Sequence, residues 1–239
     1  MNRTQTAILF FTRSAREEAD VKVFDPCLGR KGNTRIASRL IQHIRQTASK
    51  SGCDVHLHGS DKQVGNSFGE RLNHAFSSLF SRGYDNVIAI GNDSPQLTSD
   101  VLNQAISQIE LGTQVLGPST DGGAYLIGLS ASYFNTISFT NLPWKSNRLF
   151  DALYKELQLA GAVVYRADML QDIDDTGDFH RLLSTGISDN HFLQLRLALE
   201  SIVASFKRTF FEHKGCQMYR LISAGSLQLR APPIYHPAA

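Results

Sequence analysis

A single-domain α/β fold with a mainly parallel central sheet is what this sequence predicts, and three observations predict it. Short apolar runs without alternation, Ala7-Ile8-Leu9-Phe10-Phe11 and Val87-Ile88-Ala89-Ile90 foremost, have the pattern of strands buried on both faces. Segments of helical spacing, several opened by helix-start residues, lie between such runs. The alternation continues to about Thr185, which is the order expected of a parallel sheet covered by helices on both sides. With 239 residues, 42% hydrophobic and 19% charged, the chain is long enough to bury a real core.

The elements follow in order. After the strand at residues 7–11 comes a polar stretch, 12–33, with charges of both signs and Pro26, Gly29 and Gly32 as punctuation; it reads as a long loop holding at most a short helix. Residues 34–49 carry Ile36, Leu40, Ile41 and Ile44 at helical spacing, and Asp54-Val55-His56-Leu57-His58 is the next strand. Ser67 with Glu70 three residues on forms a capping box, opening a helix through Leu72, Ala75, Phe76, Leu79 and Phe80 that Gly83 ends. Thr98 caps the helix after the Val87 strand, with Asp100 in its first turn. Gln114-Val115-Leu116 and Ala124-Tyr125-Leu126-Ile127 are strands, a helix runs over 148–159, and residues 162–166 form the last strand. Asp175 caps a further helix, with Asp178 three residues on. Beyond this, residues 191–211 read as a helix and 215–239 as irregular. The expected organisation is therefore one domain over 1–186 and a C-terminal appendage over 187–239, packed on it or forming a homodimer contact.

Composition excludes several classes of protein. A net charge of +2 without a basic stripe gives no support to nucleic-acid binding. Cys27, Cys53 and Cys216 are odd in number and far apart, so neither a zinc site nor a disulfide framework is indicated. No run approaches the roughly 18 apolar residues of a membrane span, and residues 1–6 lack the pattern of a signal peptide. The expectation is a soluble, cytoplasmic protein.

In parallel α/β sheets, ligands bind beyond the carboxyl ends of the strands. Asp93 lies where the Val87-Ile90 strand runs out, so it can offer a carboxylate to a metal–nucleotide complex, although Asp close to a Pro at a strand end is also ordinary turn chemistry. Asp121-Gly122-Gly123 places a carboxylate beside two glycines that let the backbone approach a ligand, or simply turn a hairpin. Asp172 and Asp174 follow the last strand and are not needed for the cap that Asp175 supplies.

Taken in order, Gln63-x-Gly65-x-x-Phe68-Gly69-Glu70-Arg71-Leu72, Ile90-Gly91-Asn92-Asp93-Ser94-Pro95-x-Leu97-Thr98, Leu116-Gly117-Pro118-x-x-Asp121-Gly122-Gly123-x-Tyr125-Leu126-Ile127-Gly128-Leu129 and Asp172-Ile173-Asp174-Asp175-x-x-Asp178 resemble a bacterial family of glycosyltransferase-like proteins. That family has the GT-A, or nucleotide-diphospho-sugar transferase, fold, and some members are labelled arsenosugar-biosynthesis glycosyltransferases. The resemblance implies a Rossmann-like GT-A domain, a nucleotide-diphospho-sugar donor, an unidentified acceptor and a divalent metal, Mg or Mn. It departs at the first loop: the family's basic K-x-P-x-x-G-x-x-K-T-R-L stretch is replaced by residues 12–22, where Arg13, Arg16 and Lys22, with Lys31 and Arg35 further on, supply cations.

On this resemblance Asp93 would hold the metal, with Asp174 or Asp172 in support, and Asp121 would act as carboxylate base or sugar contact. Arg13, Lys22, Arg71, Asn92, Gly122, Gly123 and Trp144 would meet the nucleotide or sugar, Trp144 by stacking unless it belongs to the core. Glycosyl transfer ranks above nucleotidyl transfer to a phosphorylated acceptor, because no glycine lies between Phe11 and Leu28 to cradle a triphosphate. A nucleotide-binding protein of the same fold without turnover is the third reading.

Overall fold

The structure, a computed structural model, describes residues 5–184 and 190–214, with side chains of the last helix as far as Lys207. Its elements are β1 (Thr6–Phe11), α1 (Ala15–Val21), α2 (Gly29–Ser49), β2 (Asp54–His58), α3 (Phe68–Phe80), β3 (Asn86–Ile90), α4 (Ser99–Glu110), β4 (Gln114–Pro118), β5 (Ala124–Ser130), α5 (Ala131–Phe134), α6 (Leu149–Leu159), β6 (Val164–Arg166), α7 (Thr176–Ser184) and α8 (Asn190–Lys214). The boundary expected at residue 186 falls outside the described residues. So does everything from Gly215 on, including Cys216, Arg220 and Arg230. No helix among the described residues is long and apolar enough to cross a membrane.

The six strands form one sheet in the order β2-β1-β3-β5-β4-β6. β1 pairs parallel with β2 and β3, and β4 with β6, while β5 runs antiparallel to both β3 and β4. Five strands therefore end at one edge of the sheet, and β5 begins there. The chemistry-bearing loops all leave from this edge.

Alternation within the apolar strands feeds two cores. Leu9, Val87, Ala89, Leu116 and Leu129 face α3 and α6 on one side. Ile8, Phe10, Ile88, Ile90 and Val115 face α4 and the C-terminal half of α2 on the other. A third cluster joins the N-terminal half of α2 to Ile173, Phe179 of α7 and Phe192, Leu195 and Leu199 of α8. The helix expected over 191–211 is thus packed along α2.

The stretch 12–33 differs from its reading as a long loop. Ser14 and Glu17 make a reciprocal capping box that starts α1, and α2 begins at Gly29 rather than Thr34. The residues that look like loop signals have tertiary work there. Asn33, buried in α2, accepts from the backbone amides of Phe24 and Asp25 at 2.7 and 3.0 Å and donates to the carbonyls of Asp25 and Gly29 at 2.8 Å each. One amide side chain thereby satisfies the turn that precedes the helix.

Phe76 of α3 is fully buried, with ring contacts to Phe80, Phe134 and Phe139 at 5.4–6.0 Å between centroids. Phe76→Ala is expected to cost about 3–5 kcal/mol, read as a lower urea midpoint with an unchanged denaturant slope.

Candidate functional site

Four loops meet beyond the strand ends: the one after β1, the Gly91-Asn92-Asp93-Ser94-Pro95 turn after β3, the turn from Ser119 to Gly123 between β4 and β5, and the segment between β6 and α7. Backbone bonds tie them together. Ile173 N donates to the Asp93 carbonyl at 2.8 Å, and Thr120 N to the Leu170 carbonyl at 3.0 Å. Side chains continue the lacing. Thr12 donates its hydroxyl to Asn92 Oδ1 at 2.7 Å, and Asn92 Nδ2 donates to Asp93 Oδ1 at 3.0 Å. The Asn92 amide, expected at the nucleotide, thus joins β1 to Asp93.

Lys22 stands at the centre. Only 8% exposed, it places Nζ 2.7 Å from Asp93 Oδ1, 2.8 Å from Asp174 Oδ1, 3.3 Å from Glu18 Oε1 and 3.0 Å from the Ile173 carbonyl. Glu18, one turn earlier on α1 and itself buried, also accepts from Arg13 Nη1 at 3.1 Å. Burial works against the charged ammonium, but Asp93, Glu18 and Asp174 outweigh it and hold the Lys22 pKa above its usual value. Burial raises the pKa of Asp93, Lys22 opposes that rise, and the Glu18 and Asp174 carboxylates add to it.

A second group of carboxylates adjoins the first. Asp121, Asp172 and Asp174 each bring one oxygen within 4.8 Å of the others. Two buried serines hold two of its members. Ser94 donates to Asp172 Oδ1, and Ser119 donates to Asp121 Oδ1 at 2.6 Å, where Gly123 N also donates at 2.8 Å. An all-oxygen donor set of this kind suits Mg or Mn and does not favour a softer metal. Asp174 belongs to both groups, through Lys22 and through the trio.

The remaining sequence candidates lie around this edge. Arg13 lines an open cleft of about 570 Å³ past the ends of β1 and β2, with Thr12, Ala15, Ser38, Ile41 and Leu57 among its walls. Arg71 is half-buried in the first turn of α3. Trp144 packs against Phe68 and Phe139 and donates Nε1 to the Phe139 carbonyl at 2.9 Å. Gly122 has φ +86°, and a Cβ there would lie 2.1 Å from the Asn147 carbonyl oxygen, so its missing side chain serves a backbone crossing. A smaller cavity of about 210 Å³, between His43, Asp100 and His191, lies behind Pro95.

Sequence reasoning did not single out Glu18, Ser94 or Ser119. Glu18 has a local signal in its spacing of four from Lys22, the residue that caps the end of its helix. Ser119 has one in standing two residues before Asp121 within a turn.

The six-stranded mixed sheet with its flanking helices is an α/β fold of known type. Among solved structures, a candidate nucleotide-diphospho-sugar transferase of Desulfovibrio desulfuricans shares it with a TM-score of 0.71 at 19% identity, covering 84% of this chain and 97% of that one. Rv0371c of Mycobacterium tuberculosis matches more distantly, with a TM-score of 0.44 at 15% identity over 77% of this chain and 100% of that one. Its complex with manganese matches at 0.43, with the same identity and coverage. No curated protein matches the chain. Residues 30–146 match the model of the family DUF2064, whose description is an uncharacterized protein conserved in bacteria.

Burial is also the largest influence on Asp172 and lifts its pKa to about 6, against the pull of Ser94 and Ser119. Its folded value lies above the unfolded one, so the native state binds the extra proton between about pH 4 and 6. Stability from this group is therefore greatest below that window, falls as pH rises through it, and stays lost above. Asp172→Asn is expected to raise stability at pH 7.5 by about 1–3 kcal/mol and to flatten the slope between pH 4 and 6, read by calorimetry in chelator.

Proposed function

We propose that this protein is a metal-dependent transferase using a nucleotide-diphospho-sugar donor, and that the group it moves is the glycosyl unit. The observation that carries this reading is the trio Asp121, Asp172 and Asp174, gathered at the edge of the sheet where the parallel strands end. These carboxylates would hold the divalent cation, Mg or Mn, which when bound offsets the charge of the departing diphosphate. Asp93 would act from the side, through Lys22. Asp121 is thereby assigned to the metal rather than to the base role expected from its turn.

The other residues bind and orient. The cleft offers Ile41 and Leu57 as apolar walls for a base, with Thr12 and Ser38 as polar neighbours. Arg13 lines the cleft, pairs with Glu18 and can meet a phosphate with its planar fork. Asn92, fixed by Thr12, orients Asp93. Gly122 and Gly123 shape the turn that presents Asp121.

Glycosyl transfer is favoured over nucleotidyl transfer by the start of α1. Its capping box gives the free amides of Ser14 and Glu17 to the chain's own side chains, and puts the Glu17 carboxylate where a triphosphate would need donors.

A thermal-shift panel of nucleotide sugars with manganese tests the proposal. A donor at about 100 times its Kd should raise the Tm by roughly 5–10 °C, and Asp121→Asn should abolish the manganese-dependent part. Equal shifts in the variant would remove the trio from the metal. Pyrophosphate release from a nucleoside triphosphate would replace glycosyl with nucleotidyl transfer.

A further inference from the structure

The ammonium of Lys22 is over-supplied with acceptors. Three N–H donors have four oxygens in reach, from Asp93, Asp174, Ile173 and Glu18, at 2.7–3.3 Å, and the buried Glu18 Oε1 among them makes no hydrogen bond, so it can take up a donor that another oxygen releases. Losing one of the four leaves no donor stranded. The four are also unequal in how easily they part from the ammonium. The Glu18 side chain is 2% exposed and would remain buried, with Arg13 as its other partner, whereas Asp93 and Asp174 are 42% and 53% exposed and can be taken up by water. Asp174 alone also belongs to the trio with Asp121 and Asp172.

Resting on the metal assignment above, we infer that Lys22 is an exchangeable internal counter-ion that competes with the divalent cation for Asp174. In the free protein it holds Asp93 and Asp174 and so weakens metal binding at the trio. When cation and donor arrive together, the Lys22 ammonium gives up Asp174 and pairs with the donor's diphosphate. A lysine suits this exchange: it is a compact charge on a flexible four-carbon stem, able to swing between oxygen partners without leaving the site. Metal and diphosphate binding become mutually reinforcing, because each removes the partner that Lys22 would otherwise keep, and such coupling is reciprocal. The charge balance agrees. Five carboxylates, Glu18, Asp93, Asp121, Asp172 and Asp174, stand with two cations, Lys22 and Arg13, which pair with only the first two and Asp174, so the site accepts a divalent ion without expelling either.

The test counts free Mn²⁺ by its solution electron-paramagnetic-resonance signal during titration of the full chain, without nucleotide. Lys22→Met should bind Mn²⁺ roughly tenfold or more tightly than wild type, the scale of ordinary coupling between sites. Lys22→Arg, which keeps the charge, should stay close to wild type. Lys22→Gln, which keeps a hydrogen-bond donor, serves as the second neutral variant, and circular dichroism confirms that each variant is folded. A second arm adds methylenediphosphonate, which should tighten Mn²⁺ binding more in wild type than in Lys22→Met.

Equal or weaker Mn²⁺ binding by both neutral variants would overturn the exchange. If Asp121→Asn then still abolished Mn²⁺ binding, the metal assignment would stand without it. Absence of Mn²⁺ binding in every variant, Lys22→Met included, would overturn both.

Discussion

The contact of Lys22 with Asp93 and Asp174 is the interaction on which the arrangement of the site depends. Three loops from distant parts of the chain bring carboxylates to one point, and like charges so close would push the loops apart. One buried ammonium turns that repulsion into cohesion. The Ile173 carbonyl adds a backbone contact, and the bond from Ile173 N to Asp93 O closes the ring. Because Lys22 caps the C-terminus of α1 one turn after Glu18, the position of this short helix sets the position of the charges. Its Ser14 cap, at the end of β1, fixes where the helix begins.

Sheet geometry supplies the rest. A strand buried on both faces offers ligands nothing but its ends, and the direction of β5 allows β3 and β4 to remain on the same heading with one antiparallel strand between them. The turn into β5 thereby brings Asp121 to the same edge as Asp93. In the trio, Ser94 and Ser119 engage one oxygen of Asp172 and one of Asp121, which limits the rotation of these carboxylates. Restricting supporting groups in this way is how a protein presents ligands without paying their ordering entropy at the moment of binding.

The strands and most helices were legible in the sequence because their signals are local: unbroken apolar runs for β1 and β3, Ser67 and Thr98 as caps that the structure reproduces. Residues 12–33 were not, because Asn33 and Gly32 owe their place in a helix to what packs against them. Gly32 admits the Leu28 and Phe206 side chains, which a Cβ would meet at 2.4 and 3.4 Å. The edge on which Asp93, Asp121, Asp172 and Asp174 gather was legible from their positions after strands. Their division into one group around Lys22 and another held by serines was not, since sequence spacing does not report where a side chain points. Trp144 shows the same limit: its ring packing and its bond to Phe139 arise from contacts made through folding.

The way α8 lies along α2 bears on how the chain can be divided. Phe192, Leu195 and Leu199 complete a cluster whose other members, Phe24, Ile36, Leu40 and Phe179, belong to segments that flank the site, and Ile173 of that cluster stands between Asp172 and Asp174. A chain ending near residue 186 would bare that apolar surface to water. It would also loosen the seat of Ile173, and with it both neighbouring carboxylates. The C-terminal helix is accordingly a wall of the same building as the carboxylate edge, and the smallest piece of this protein that keeps that edge in place has to include it.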